Sequence, residues 1–180
     1  MLPHERWQLE QQARDEADRE LKRRRWEQGW PYEYVHRLPF MYASSFVLAL
    51  DHIQKSLIIV ANKDYLGTNS VAAQQLSIWK DALGNVKGVR DSMHHSEDRA
   101  RGQGKKGPLE LKPVSNDMFH APGGVLSLGN LNGNRYGWTT EDGHHSEVEV
   151  SEQTLVIVRD TLQVIIDSLQ WRGYPAWAPM

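Results

Sequence analysis

The stretch Leu76-Ser77-Ile78-Trp79-Lys80-Asp81-Ala82-Leu83-Gly84-Asn85-Val86-Lys87-Gly88-Val89-Arg90-Asp91-Ser92-Met93 decides how this chain folds. Leu76, Trp79, Leu83, Val86, Arg90 and Met93 recur at three- and four-residue spacing, the signature of one buried face on an amphipathic helix. Five of the six are apolar. The sixth, Arg90, carries a guanidinium, a group rarely buried without a partner. Asp91, His94 and His95 follow at once, and then Glu97-Asp98-Arg99. A cation on an apolar stripe, with imidazoles one turn later, marks this run as a candidate site.

Working outward, the motif helix is expected over residues 71–100, capped by Thr68, Asn69 or Ser70. Gly84 and Gly88 lie inside it, each costing about 1 kcal/mol relative to alanine. Four residues apart, they suit the close approach of another helix. Upstream, Phe46, Leu50, Ile53, Leu57 and Val60 predict a helix over 41–61, with Leu48, Ile58 and Ile59 broadening its face. Asp51 and His52 fall in its middle. Residues 4–28 read as a charged helix with pairs such as Arg6/Glu10, Asp15/Arg19 and Glu20/Arg24, each worth ~0.2–0.5 kcal/mol. Gly29 and Pro31 end it. The run Lys22–Trp26 could contact phosphate, although a solvated helix face is the plainer reading.

Downstream, Gly102–Pro108 reads as a flexible break. The period then changes to two in Leu109–Lys112, Val125–Leu128 and Ser146–Val150. Tyr136, Trp138 and Thr139 follow, with turns at Asn132-Gly133 and Asp142-Gly143. These predict an antiparallel sheet of two to four short strands within about 108–150. Ser151 and Thr154 open a last helix, to about 171, with a stripe of Leu155, Val158, Leu162, Ile165 and Leu169. The proline- and aromatic-rich tail from Trp171 should lack regular structure. The expected fold is mainly α, an up-down helical bundle with a small antiparallel β insertion between its third and fourth helices. A charged helix over 1–30 should precede a single domain over 31–180.

Composition narrows the function. The chain has 180 residues and a formal net charge of −2, so wholesale electrostatic binding to nucleic acid is not implied. There is no cysteine, which excludes disulfides, thiolate nucleophiles and cysteine-held metals. The N-terminus lacks a signal-peptide core, and the most apolar run, Ser56–Ala61, is too short to cross a bilayer. A soluble, cytoplasmic protein is expected. His94, His95, His120, His144 and His145 fall into no His-x-x-x-His or His-Glu-x-x-His spacing, so no metal is expected. No lysine in Walker spacing follows the glycine-rich segments, and no cofactor is expected.

On a helix, Arg90, His94 and Asp98 share one stripe, and Asp91, His95 and Arg99 the next. Arg90 and His95 diverge by roughly 140° on an ideal helix. Two copies facing across a dyad could bring both pairs into one cleft. Such a group suits metal-free RNA cleavage. Histidine takes the 2′-hydroxyl proton and protonates the leaving 5′-oxygen, while arginine stabilises the phosphorane. Asp91 could orient the His95 ring.

The segment Arg90-Asp91-Ser92-Met93-His94-His95 resembles the arginine–polar–x-x-x–histidine signature of the HEPN superfamily (higher eukaryotes and prokaryotes nucleotide-binding). Glu97, Asp98 and Arg99 resemble an extension found in some bacterial HEPN-like proteins. The resemblance implies a four- or five-helix bundle that forms a homodimer, and in active members a metal-independent endoribonuclease at the dimer cleft. It also implies toxin–antitoxin or phage-defence settings, with an antitoxin as partner and RNA as substrate. Arg90 would contact phosphate, Asp91 would be the polar position, and His95 would be the catalytic histidine. His94 and Arg99 would help place the substrate. Two departures stand out: the motif lies mid-chain, and the β insertion is not a general family feature.

Three other readings stay open. Arg90 could pair with a buried carboxylate such as Asp51 while His94 and His95 face solvent, because structural ion-pair networks mimic sites. The chain could be a non-catalytic dimerisation or nucleotide- or RNA-binding module. The β element could itself bind a ligand.

Overall fold

A computed structural model describes residues 3–62 and 70–168. They form α1 (Pro3–Glu27), α2 (Tyr32–Ala61), α3 (Ser70–Leu83), α4 (Val86–His94) and α5 (Ser96–Ala100). Seven short strands follow: β1 (Gln103–Gly104), β2 (Gly107–Pro108), β3 (Val114–Ser115), β4 (His120–Ala121), β5 (Asn130–Asn132), β6 (Arg135–Thr139) and β7 (His145–Glu149). Helix α6 (Glu152–Ser168) completes the order. The fold is mainly helical with small antiparallel sheets. Caps at Thr68 or Asn69, Leu169 of the last stripe and the aromatic tail fall outside the described residues.

The chain divides into two compact units, Met1–Tyr42 and Ala43–Met180. The turn expected near residue 30 separates α1 from α2, but the unit boundary falls later, inside α2. In the first unit, α1 carries local ion pairs: Lys22 with Asp18 at 2.6 Å, Arg23 with Glu20 and Glu27 at 2.9 Å, and Arg24 with Glu20 at 2.9 Å. Hydrogen bonds from Arg23 and Arg24 hold the Glu20 carboxyl down at about 2. Much of the Lys22–Trp26 basic run is therefore engaged by its own helix, as a solvated face would be. Helix α2 starts at Tyr32, well before residue 41, and runs through Pro39. An interior proline is normally a helix breaker, which hid this start from the sequence pattern.

The segment Glu33–Ala61 is long and apolar enough, by length and composition, to cross a membrane, with a mean hydropathy of 1.3 in its most apolar window. The short run Ser56–Ala61 understates this, because the apolar residues are spread along the whole helix. The second unit uses part of that helix as core: Ala43, Val47, Leu50 and Leu57 are buried. Ile58 and Ile59, expected to broaden the inward face, are exposed.

The long motif helix is broken. At Gly84 the backbone turns to φ +67°, a left-handed conformation that glycine adopts without a Cβ penalty, so α3 ends at Leu83. Asn85 caps the new helix by accepting a hydrogen bond from the Gly88 backbone N–H at 2.9 Å. A Cβ at Gly88 would come within 2.3 Å of that Asn85 side chain, so Gly88 makes room for a cap rather than for a second helix. The break also resets the phase of the buried face. Trp79 and Leu83 are buried on α3, but on α4 the buried residues are Val86, Val89 and Ser92, not Arg90 and Met93.

Helix α3 packs against α6, and α4 lies against β6 and β7. Strands β5, β6 and β7 form one antiparallel sheet in that order, with Tyr136 opposite Val148 and Thr139 opposite His145. Tyr136, Trp138 and Val148 belong to the same core cluster as Val47, Trp79 and Val89, so the sheet completes the core instead of decorating a finished bundle. The expected flexible break folds into the β1–β2 hairpin, whereas Leu109–Lys112 and Val125–Leu128 form no strand. On α6, Ser151 accepts from the Thr154 backbone N–H at 3.2 Å, as a helix start requires. The buried stripe there is Thr154, Val158, Thr161 and Ile165, with Leu155 exposed. Thr154 is satisfied at the cap by donating to the Glu149 carbonyl, so a hydroxyl replaces the expected leucine inside.

Candidate functional site

Arg90 does not reach the cavity that its neighbours line. Its guanidinium sits 18 % exposed and pairs with Asp51 of α2 at 3.1 Å and with the adjacent Asp91. Asp51 is almost wholly buried and also pairs with Lys55 at 2.7 Å. Burial pushes the Asp51 carboxyl up, but hydrogen bonds from Lys55 and Arg90 outweigh it and hold the group below the usual carboxylate range. Two cations and two carboxylates thus neutralise one another along the α2–α4 contact. The Arg90–Asp51 pairing weighed as an alternative in the sequence is the one the fold adopts.

His95 stands at the junction of α4 and α5, where its backbone N–H bonds the Asp91 carbonyl at 3.0 Å. Its ring is 60 % exposed. Asp91 was expected to orient the ring, but that carboxylate is spent on Arg90; the carboxylate beside the imidazole is Asp98, at 3.9 Å. His94 is exposed and does not line the cavity described next.

That cavity, about 350 Å³, is lined by Asp91, His95, Asp98 and Arg99 from the helices, by Gly104 and Lys105 of the β1–β2 hairpin, and by Glu141 after β6. Arg99 is 3 % exposed. It donates to the Ser92 hydroxyl at 3.5 Å and to the Gln103 carbonyl, which ties the hairpin to α5. Both partners are neutral, and among the described residues Arg99 has no ion pair. Ser92 is itself fully buried.

Asp91 is balanced by Arg90, and Asp98 by Arg101 at 2.7 Å. Arg99 and Lys105 remain without a carboxylate partner, and so does Glu141 without a cation, among the described residues. The cavity is therefore left with two cations against one anion, besides the His95 imidazole. A buried guanidinium with only neutral partners is costly unless an anion can approach it. Sequence reading placed Arg99 at the site but not its burial, because α5 has no apolar period to follow.

Among the described residues, His95, Glu97 and Asp98 bring ligand-type atoms within 4.8 Å of one another. Asp98 is already held by Arg101, and the set sits on a five-residue helix open to solvent, so the arrangement does not require an ion. His145 is elsewhere, buried in the sheet 3.3 Å from Glu147 and edge-on to Phe119. His144 accompanies Asp142, whose carboxyl burial raises but hydrogen bonds from Thr140 and His144 hold below the usual range.

No protein-family model, curated protein or solved structure matches the chain.

Proposed function

We propose that the cavity beside His95 binds a phosphodiester of RNA, and that the protein is a metal-independent endoribonuclease on an HEPN-like scaffold with a β insertion. The observation that supports this is Arg99: a buried cation with only neutral partners, on the wall of a cavity that also holds an exposed imidazole and Lys105. In this reading the arginine that meets the phosphorane is Arg99. Arg90, which the motif resemblance would place there, instead fixes the helix that carries the site. His95 transfers protons, and the absence of a 2′-hydroxyl protects DNA.

One cavity receives one imidazole, so a mechanism built on two histidines requires a second copy of the chain. Homodimerisation belongs to the proposal, as do a cytoplasmic toxin or defence role and a neutralising antitoxin. The test is cleavage of a labelled single-stranded RNA in EDTA. The expected result is cut RNA ending in 2′,3′-cyclic phosphate, with His95→Ala inactive and still folded.

A second reading is a non-catalytic RNA- or nucleotide-binding module. The Arg90 clamp favours it, since the family-like arginine is not free to act on a substrate. RNA bound but uncut by the wild-type chain would select it.

A further inference from the structure

We propose that Glu141 is the general base of this site, so that one chain holds a complete set of reacting groups. The inference rests on the ribonuclease reading. Of the three carboxylates lining the cavity, Asp91 is engaged by Arg90 and Asp98 by Arg101. Only Glu141 is uncommitted among the described residues. It belongs to the turn after β6 and lines the same cavity as His95 and Arg99.

The placement of Glu141 is built into the fold. Gly104 of β1 packs against the Glu141 carbonyl so closely that a Cβ there would come within 2.7 Å. Arg99 anchors the same hairpin through Gln103. The turn itself is closed by Gly143 donating to the Thr140 carbonyl at 3.0 Å and by Thr140 donating to Asp142 at 2.6 Å. The β element therefore places Glu141 on the wall of a cavity that the helices line with His95 and Arg99. A bundle without these strands would have no such group here.

The step balances without an added reactant. The Glu141 carboxylate takes the proton of the 2′-hydroxyl, and the 2′-oxygen forms a bond to phosphorus. Arg99 and Lys105 carry the growing negative charge of the phosphorane. The bond from phosphorus to the 5′-oxygen breaks, and that oxygen takes the proton of the His95 imidazolium. Glu141 ends protonated and His95 neutral. The products are a 2′,3′-cyclic phosphate and a 5′-hydroxyl.

The test uses the full chain and a single-stranded RNA oligonucleotide. Glu141→Gln should lower kcat by about 10²- to 10⁴-fold with KM within a few-fold, the range a positioned base contributes. It should also remove the acidic limb of the pH–rate profile, and Glu141→Asp should recover part of the activity. Its melting midpoint should match wild type, because the replaced carboxylate is exposed and makes no bond among the described residues. Mixing Glu141→Gln with His95→Ala should restore nothing, since both groups are needed in one cavity. Wild-type protein that leaves RNA uncut overturns the ribonuclease reading and this assignment with it. Wild-type cleavage with Glu141→Gln equally active, or activity regained on mixing, overturns this assignment alone.

Discussion

Two arginines nine positions apart in one helical run meet opposite surroundings. Arg90 is neutralised: Asp51 and Asp91 flank it, and Lys55 shares Asp51. Arg99 is more deeply buried, yet its bonds go to a hydroxyl and a carbonyl. The first arrangement fastens α4 to α2. The second leaves positive charge on the wall of an open cavity, where an anion can supply what the protein does not. On the proposed function, the arginine that meets the ligand is Arg99, whose charge the fold has left unmatched.

The largest loss is expected at the Arg90 clamp. Asp51→Ala should cost about 2–3 kcal/mol in urea unfolding, because Arg90 would lose its buried partner and keep only Asp91. Replacing both Asp51 and Arg90 with apolar residues of similar size should cost much less than the two single changes summed. Additive losses would show that the pair is not coupled.

Arg99→Met should leave most of the stability and weaken RNA binding. The slope of log affinity against log salt should fall by roughly 0.7, one phosphate contact on a single strand. Arg90→Met should lower stability without changing that slope. An exchange of these two outcomes would reverse the roles assigned to the arginines.

The Arg90 clamp is also sensitive to acid. The Asp51 carboxyl is lower when folded than when unfolded, so the folded state binds fewer protons in mild acid. Its contribution is complete above the unfolded carboxylate range near 3.9 and is lost as pH falls through the lower folded value. Urea midpoints measured from pH 6 downward should show this loss in wild type and not in Asp51→Asn. The smallest expected effect is Gly88→Ala, which displaces the Asn85 cap and should cost about 1 kcal/mol by the same measurement.

Local pattern was enough to reveal the last helix, with its Ser151 cap, the charged first helix and the β segment. It was also enough to mark Arg90 as anomalous and to offer Asp51 as one alternative partner, since a cation on an apolar stripe calls for a buried carboxylate. These inferences rest on periodicity and on the cost of unpaired charge, both of which act over a few residues. The broken motif helix was beyond that reach. A glycine inside an apolar period is a modest penalty in a continuous helix or an inexpensive left-handed turn, and only the packing of α4 on β6 and β7 selects the turn.

The same contacts bury Val89 and Ser92 beside Val86, so the stripe as read in sequence keeps Val86 but misplaces Arg90. The site divides likewise. His95 and Arg99 were legible as residue types at helical spacing, but Lys105 and Glu141 come from a hairpin and a turn that no spacing rule joins to them. Which arginine keeps an unmatched charge depends on partners contributed by α2 for Arg90 and by β1 for Arg99. Such partners are distant or irregular in sequence, and only folding brings them within bonding distance.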